Sequence, residues 1–288
     1  MKNTVYAVNR KSKRKKRALT AVLYIALILL SFYFLFPFFF VITRSLMTIS
    51  EVNSPSLVWF PAKPVWENYA VIGNYFLYLK NTLIVVVINA VFLPISGAVI
   101  AFPFARYQFA GKKVMFSLLM STVMLPWVVT SIPIYILYAK LGLLNKLASQ
   151  WIGAFFGGGA MQIFLVIQYM RAVPKSLDEA AYIDGANKFV VFSKIVLPQC
   201  KNILVFYAVT TIIGRWNDYM GPLIYIWDSE KFTLAVAFYV EYSFTGTGAM
   251  LINEKMAMSV FMTLPSLILF AFFQKDMIEG VKIGGIKG

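Results

Sequence analysis

Six apolar runs of about twenty residues leave this chain few ways to fold. Five carry no charge, spanning residues 18–43, 81–105, 114–139, 147–170 and 256–274, and a sixth, 202–227, is interrupted only by Arg215 and Asp218. Crossing some 30 Å of hydrocarbon takes about 20 helical residues, so each run is long enough to be a span. Runs this long without two-residue alternation do not suit barrel strands, and a lone helix satisfies its own backbone in lipid. The expectation is therefore an all-α, polytopic membrane protein with six transmembrane helices. Composition agrees, since only 14% of the 288 residues are charged, against about a quarter in soluble domains.

Charge placement sets the expected orientation. Lys2, Arg10, Lys11, Lys13, Arg14, Lys15, Lys16 and Arg17 form a basic extension over residues 1–17, which the positive-inside rule holds in the cytoplasm beside anionic lipid. The apolar run that follows is too long for a signal peptide and lacks a small-residue cleavage site, so it reads as an uncleaved first span. With both termini inside, the inside segments hold 19 Lys and Arg and the outside segments seven, with Arg215 inside a span. The net charge of +15 gathers beside apolar spans rather than along one face, which points to membrane lipid and away from nucleic acid. The chain has no His and a single Cys200. That excludes a His-containing triad, an internal disulfide and the usual zinc clusters, and leaves Cys200 as a small packing residue.

Between the spans, residues 44–80 carry Pro55, Pro61 and Pro64 with Trp59 and Trp66, and read as a structured outside cap anchored by its aromatics. Pro126 and Pro133 predict a kinked third span, and Gly157, Gly158, Gly159 and Ala160 predict a close helix approach in the fourth.

The patterned segment is 176–198, SLDEAAYIDGANKFVVFSKIVLP. Ser176 as N-cap with Glu179 three residues on reads as a capping box. Gly185 is placed to end that helix, and Asn187 to cap a second one closing at Pro198. The product is a helix, a sharp turn and another helix, projecting as an elbow that carries Asp178, Glu179, Asp184, Lys188 and Lys194.

This segment resembles the EAA motif of ABC importer permeases, on Glu179, Ala180, Ala181, Gly185, Ile195, Leu197 and Pro198. EAAYIDGA followed by an aromatic and IVLP is similar to the MalG-like carbohydrate branch. WENY at 66–69, NTL at 81–83, Pro126 with Pro133 and Tyr135, WNDY at 216–219 and the tail GVKIGGIKG also match that branch, so the resemblance covers nearly the whole chain. It implies a transmembrane domain over 18–276 with a coupling loop at 171–201 and a cytoplasmic tail at 277–288 that touches ATPase subunits. Glu179, Ala180, Ala181, Asp184, Gly185 and Ala186 would dock on a cytoplasmic ATPase. The implied partners are a second homologous permease in a heterodimer, two ATPase subunits and a solute-binding protein that delivers a sugar or oligosaccharide. The chain contains no GxxxxGK[ST] phosphate loop. ATP and Mg are accordingly expected on the partner ATPases, with no cofactor and no catalysis on this chain.

Arg215 and Asp218 are expected about 20 Å into the fifth span at 1.5 Å per residue. Charges at that depth cost roughly 2.5 to 3.5 kcal/mol each, so they should face protein or a wet cavity. Three residues apart, they share a helix face and can pair. With Trp216, Asn217 and Tyr219 they form the candidate substrate pathway, the alternative being a structural ion pair. A peptide or amino-acid cargo would keep the same machinery. An ion-coupled transporter would want several intramembrane carboxylates or His, and only Asp218 qualifies. A membrane enzyme lacks a nucleophile and base pair.

Overall fold

A computed structural model describes residues 2–244 and 251–285, with side chains for 16–17, 19–243 and 251–275. The side chains of most of the basic extension and of the 277–288 tail thus lie outside the described residues. Among those described, every regular element is helical. Four stretches are long and apolar enough to cross a membrane, 19–45, 66–106, 147–172 and 252–275, and two bent helix pairs bring the total to as many as six. The chain is a multi-pass membrane protein. It divides into two compact units, residues 1–71 with 248–261 and residues 72–247 with 262–288.

In the first unit, α1 (Lys2–Ser45) runs into the predicted cap. The turn after it is fixed by α2 (Ile49–Val52), where Thr48 and Glu51 form a capping box. Glu51 also accepts from Ala62 N at 2.9 Å, pinning the proline-rich loop. Arg44 donates to Val52 O at 2.6 Å, and buried Asn68 donates to Ser45 O and Met47 O at 2.9 Å each. Trp59 and Phe60 meet Phe36 and Phe39 edge-on. The 19–45 stretch itself buries none of its apolar window inside the chain, as suits a helix solvated by lipid or by another subunit.

The second unit is organised around α3 (Phe76–Arg106), which continues a 3-10 stretch from Trp66 and packs against α6 (Ala160–Ala172) and α10 (Lys201–Trp216). Between α3 and α6, α4 (Lys112–Ser121) and α5 (Trp127–Lys140) occupy the run expected as the third span. This span is broken rather than kinked, with a bend of 109°. Leu125 is extended at φ −80° and ψ 120° because the residue before a proline is pushed out of the α region. Pro133, by contrast, sits inside α5 without ending it.

The fourth span departs further from expectation. Only α6 is α-helical, and residues 147–156 form two short 3-10 turns. Gly157 and Gly158 turn the chain at φ +84° and +69°. Irregular backbone at membrane depth needs partners, and α3 provides them. Fully buried Asn89 donates to Gln150 O at 3.1 Å, Ser96 donates to Ala154 O at 2.6 Å, and Ser96 Oγ accepts from Gly157 N. From α10, Tyr207 donates to Gly157 O at 3.1 Å. The close approach predicted at these glycines is present, since a Cβ on Gly158 would collide with Tyr207 and Leu93.

After α6 come α7 (Lys175–Ile183), α8 (Lys188–Val190) and α9 (Leu197–Gln199), with a π-turn over Val191–Val196. Cys200, fully buried, marks a 74° bend into α10. The fifth span was expected to continue to Trp227, but α10 stops at Trp216, and α11 (Met220–Tyr225) follows a break at residues 217–219. Arg215 and Asp218 therefore flank a helix end instead of occupying the middle of a helix. The expected outside loop contains a further helix, α12 (Leu234–Phe244), before α13 (Ile252–Gly285). Eleven residues rise only about 16 Å, so α12 is too short to span. Its start is tied to α3, where Thr82 Oγ1 accepts from Leu234 N and Asn81 donates to Glu230 O and Phe232 O.

Candidate functional site

The elbow is built locally from its sequence. α7 begins after Pro174 rather than at Ser176, with no side-chain cap, so the expected box between Ser176 and Glu179 is not formed. The chain enters extended through Val173 and Pro174, and the Val173 carbonyl accepts from Arg106 Nη1 at 3.0 Å. Helical geometry thus starts one residue before Ser176. The other end follows the reading. Gly185, at φ +84°, lets Ala186 N reach Ala181 O at 2.9 Å and Gly185 N reach Tyr182 O at 3.1 Å, the paired bonds of a Schellman stop. Asn187 then caps α8 by accepting from Val190 N at 2.9 Å. The second helix passes Pro198 and ends at Cys200. Pro198 lacks an N–H, and the π-turn lies directly ahead of it.

Tertiary contacts hold the elbow on the C-terminal end of α3. Arg106 Nε lies 2.9 Å from Asp178 Oδ2, with side chains 3% and 11% exposed. Burial pushes the Asp178 carboxyl above its ordinary range, and the guanidinium offsets part of that rise. Tyr107 and Tyr182 share a hydroxyl hydrogen bond at 3.0 Å, and Lys188 sits 5.2 Å above the Tyr107 ring. Desolvation, and then the bond to Tyr182, push the Tyr107 phenol up to about 12.

The six residues singled out in the elbow divide by face. Glu179, Ala180, Asp184 and Gly185 are exposed, whereas Ala181 and Ala186 pack against the chain's own core. Two residues not singled out dominate the outer surface, Ile183 at 86% and Phe189 at 73% exposure. Both are large apolar side chains left uncovered by the chain itself. Arg106 and Tyr107 were also missed. A spare carboxylate, Asp178, beside the EAA triplet was the available hint of a buried partner.

A second feature forms where two helix breaks meet. The break after Pro126 places Trp127 at the start of α5, and the break at 217–219 places Arg215 and Asp218 beside α11. Together with Tyr138, Gln150 and Tyr225 these residues line a cavity of about 310 Å³. Arg215 Nη1 is 3.3 Å from Asp218 Oδ2, and Asp218 Oδ1 accepts from Gly221 N at 3.0 Å. Asp218 thus pairs with the arginine and caps α11. Of the other candidates, Trp216 donates to Met262 O, Asn217 to Ile213 O, and Tyr219 stacks on Tyr239. The sequence reading missed Trp127, Tyr138 and Gln150 because they come from other spans, and Tyr225 because only the break at 217–219 sets it beside Arg215.

No family profile matches the chain. Individual proteins do. The chain is 32% identical over 255 residues, 88% of its length and 91% of the relative's, to an ABC transporter permease protein, ORF2, of Caldicellulosiruptor sp. strain Rt8B.4. It is 31% identical over 262 residues, with the same coverage, to the melibiose/raffinose/stachyose import permease protein MelC of Bacillus subtilis. It shares the fold of a chain from a bacterial ABC transporter involved in import of the acidic polysaccharide alginate, with a TM-score of 0.79, 22% identity and coverage of 91% and 97%. Its spans, its elbow and relatives above 30% identity over nearly nine-tenths of the sequence agree: the chain belongs to the ABC transporter permease family, in the carbohydrate-type branch that its elbow resembles.

Proposed function

We propose that this chain is one of two transmembrane subunits of an ATP-driven importer for sugars or oligosaccharides, that it has no catalytic activity, and that it works by alternating access. The observation that carries this reading is the elbow. It presents Glu179, Asp184, Ile183 and Phe189 outward while a buried ion pair holds its base to α3, so force applied at its tip is passed to α3 and α10 instead of being lost in a loose loop.

In this reading the elbow faces the cytoplasm with both termini, as the Lys and Arg bias favours. It seats on one of two ATPase subunits, which hold ATP and Mg. Glu179, Ala180, Asp184 and Gly185 form the contact, and Ala181 and Ala186 back it from the core side. A second, homologous permease completes the heterodimer, and a solute-binding protein delivers cargo from outside. Domain limits of 1–17, 18–276 and 277–288 belong to this proposal. So does the pathway at Arg215, Trp216, Asn217, Asp218 and Tyr219, of which Arg215 and Asp218 reach the cavity. The likeness to MelC, a melibiose/raffinose/stachyose import permease, supports a sugar substrate.

The test is co-purification of the complex and ATP hydrolysis stimulated by the loaded binding protein. Glu179→Lys and Ile183→Glu should each release the ATPase or abolish stimulation while the membrane fold persists. Retention of both activities in both variants would exclude the elbow as the docking site.

A further inference from the structure

The cavity at the two helix breaks has a chemistry that selects among cargoes. Among the described residues of its lining, the one cation, Arg215, and the one anion, Asp218, are paired, so those residues carry no net charge. Both Asp218 oxygens are engaged, one by Arg215 and one by Gly221 N. Gln150 is 5% exposed, spends Nε2 on Ser149 and brings an uncharged amide to the lining. The rings of Tyr138 and Tyr225 meet edge-on at 5.2 Å, and both tyrosines belong to the lining. Neutral donors and acceptors beside the rings of Trp127, Tyr138 and Tyr225 suit a molecule with apolar C–H faces and a rim of hydroxyls. Trp127 and Tyr138 lie eleven residues apart on α5, three turns along one face.

We propose that this cavity is a transit subsite for a single uncharged glycosyl ring, which deepens and rests on the importer reading above. The volume of about 310 Å³ lies at the small end of ligand pockets, as a single ring requires. An acidic ring fits poorly, since its carboxylate would meet Asp218 at the only cation among the described lining residues. The location follows from the fold. Helix breaks leave backbone groups that are tolerated where they border a cavity, and residues from the breaks at 125–126 and at 217–219 both line this one.

The experiment uses the complete transporter in proteoliposomes with its binding protein and internal ATP. The probes are raffinose, arabinotriose, cellotriose and trigalacturonate. Uptake of at least one neutral trisaccharide is expected, falling about tenfold in Tyr138→Phe and in Gln150→Leu, while co-purification of the ATPase subunits with the complex is retained. Asp218→Asn keeps an oxygen for Gly221 N but frees the guanidinium charge. It should make trigalacturonate, added without binding protein, compete for the nucleotide-free complex at least about tenfold better than in the unmodified protein. Pocket variants that leave neutral uptake within twofold, an unmodified complex that carries only trigalacturonate, or an Asp218→Asn complex with no gain in acidic competition would each overturn the subsite. Uptake of none of the four sugars, with ATP-driven uptake of amino acids or oligopeptides instead, would overturn the importer reading beneath it.

Discussion

Arg106, the last residue of α3, and Asp178, in the first turn of α7, form an ion pair at 2.9 Å across 72 residues of sequence, nearly closed to solvent. Arg106 Nη2 and Asp178 Oδ1 are buried there without hydrogen-bond partners among the described residues. The pair therefore acts as a clamp between a span and the elbow, and its worth lies in keeping both charges together.

Removing one partner should cost more than removing both. Asp178→Leu leaves a buried guanidinium unpaired and is expected to destabilise the protein by about 3–5 kcal/mol, whereas Arg106→Met with Asp178→Leu should recover most of that loss. Thermal unfolding of the purified complex checks this through the Tm of the single and double variants.

Gly185 has open space around its missing Cβ but a φ of +84°. Gly185→Ala should therefore cost about 1–2 kcal/mol through backbone strain alone, and Gly185→Asn less, because asparagine tolerates the left-handed region. Amide exchange at residue 185 and at Ala186, the two N–H groups of the helix stop, should accelerate more in the alanine variant than in the asparagine one.

Gly158 faces both constraints, with φ +69° and a Cβ position that overlaps Tyr207 and Leu93. Gly158→Ala is expected to destabilise by about 1–3 kcal/mol through overpacking. Tyr207→Phe alone should cost about 1 kcal/mol for its lost bond to Gly157 O. The combination should be less damaging than the sum, and a double-mutant cycle on Tm measures that coupling.

Asn145, at φ +55°, accepts from Trp227 N at 3.2 Å and Asp228 N at 2.9 Å, joining two loops. Asn145→Gly keeps the backbone geometry and removes the acceptor. Exchange at the Trp227 and Asp228 amides should rise about tenfold, with little change elsewhere.

Backbone hydrogen bonds from Ala62 and Thr48, and then the Thr48 hydroxyl, hold the Glu51 carboxyl below its ordinary range. A carboxylate with a depressed folded-state pKa stabilises the fold above its unfolded value and loses that contribution as pH falls through the folded one. The cap around residues 53–62 should thus become more sensitive to acid-active protease below about pH 4. At neutral pH, Glu51→Gln should make the same segment more sensitive than the unmodified protein to a protease active at that pH.

The apolar runs alone determined an all-helical membrane chain, because lipid leaves a long uncharged segment no other way to pair its backbone. Gly185 and Asn187 likewise placed the elbow's turn, since a left-handed stop and a side-chain cap are local events. What only the tertiary structure decided depends on groups far apart in sequence. Asn89, Ser96 and Tyr207 support the irregular half of the fourth span, Arg106 recruits Asp178 while the Val173 carbonyl draws the α7 start forward, and two helix breaks bring Trp127, Gln150 and Tyr225 around Arg215 and Asp218. Hydropathy records how apolar each residue is, but a broken helix in a membrane survives only where a neighbouring helix satisfies its backbone, and that neighbour is fixed by packing.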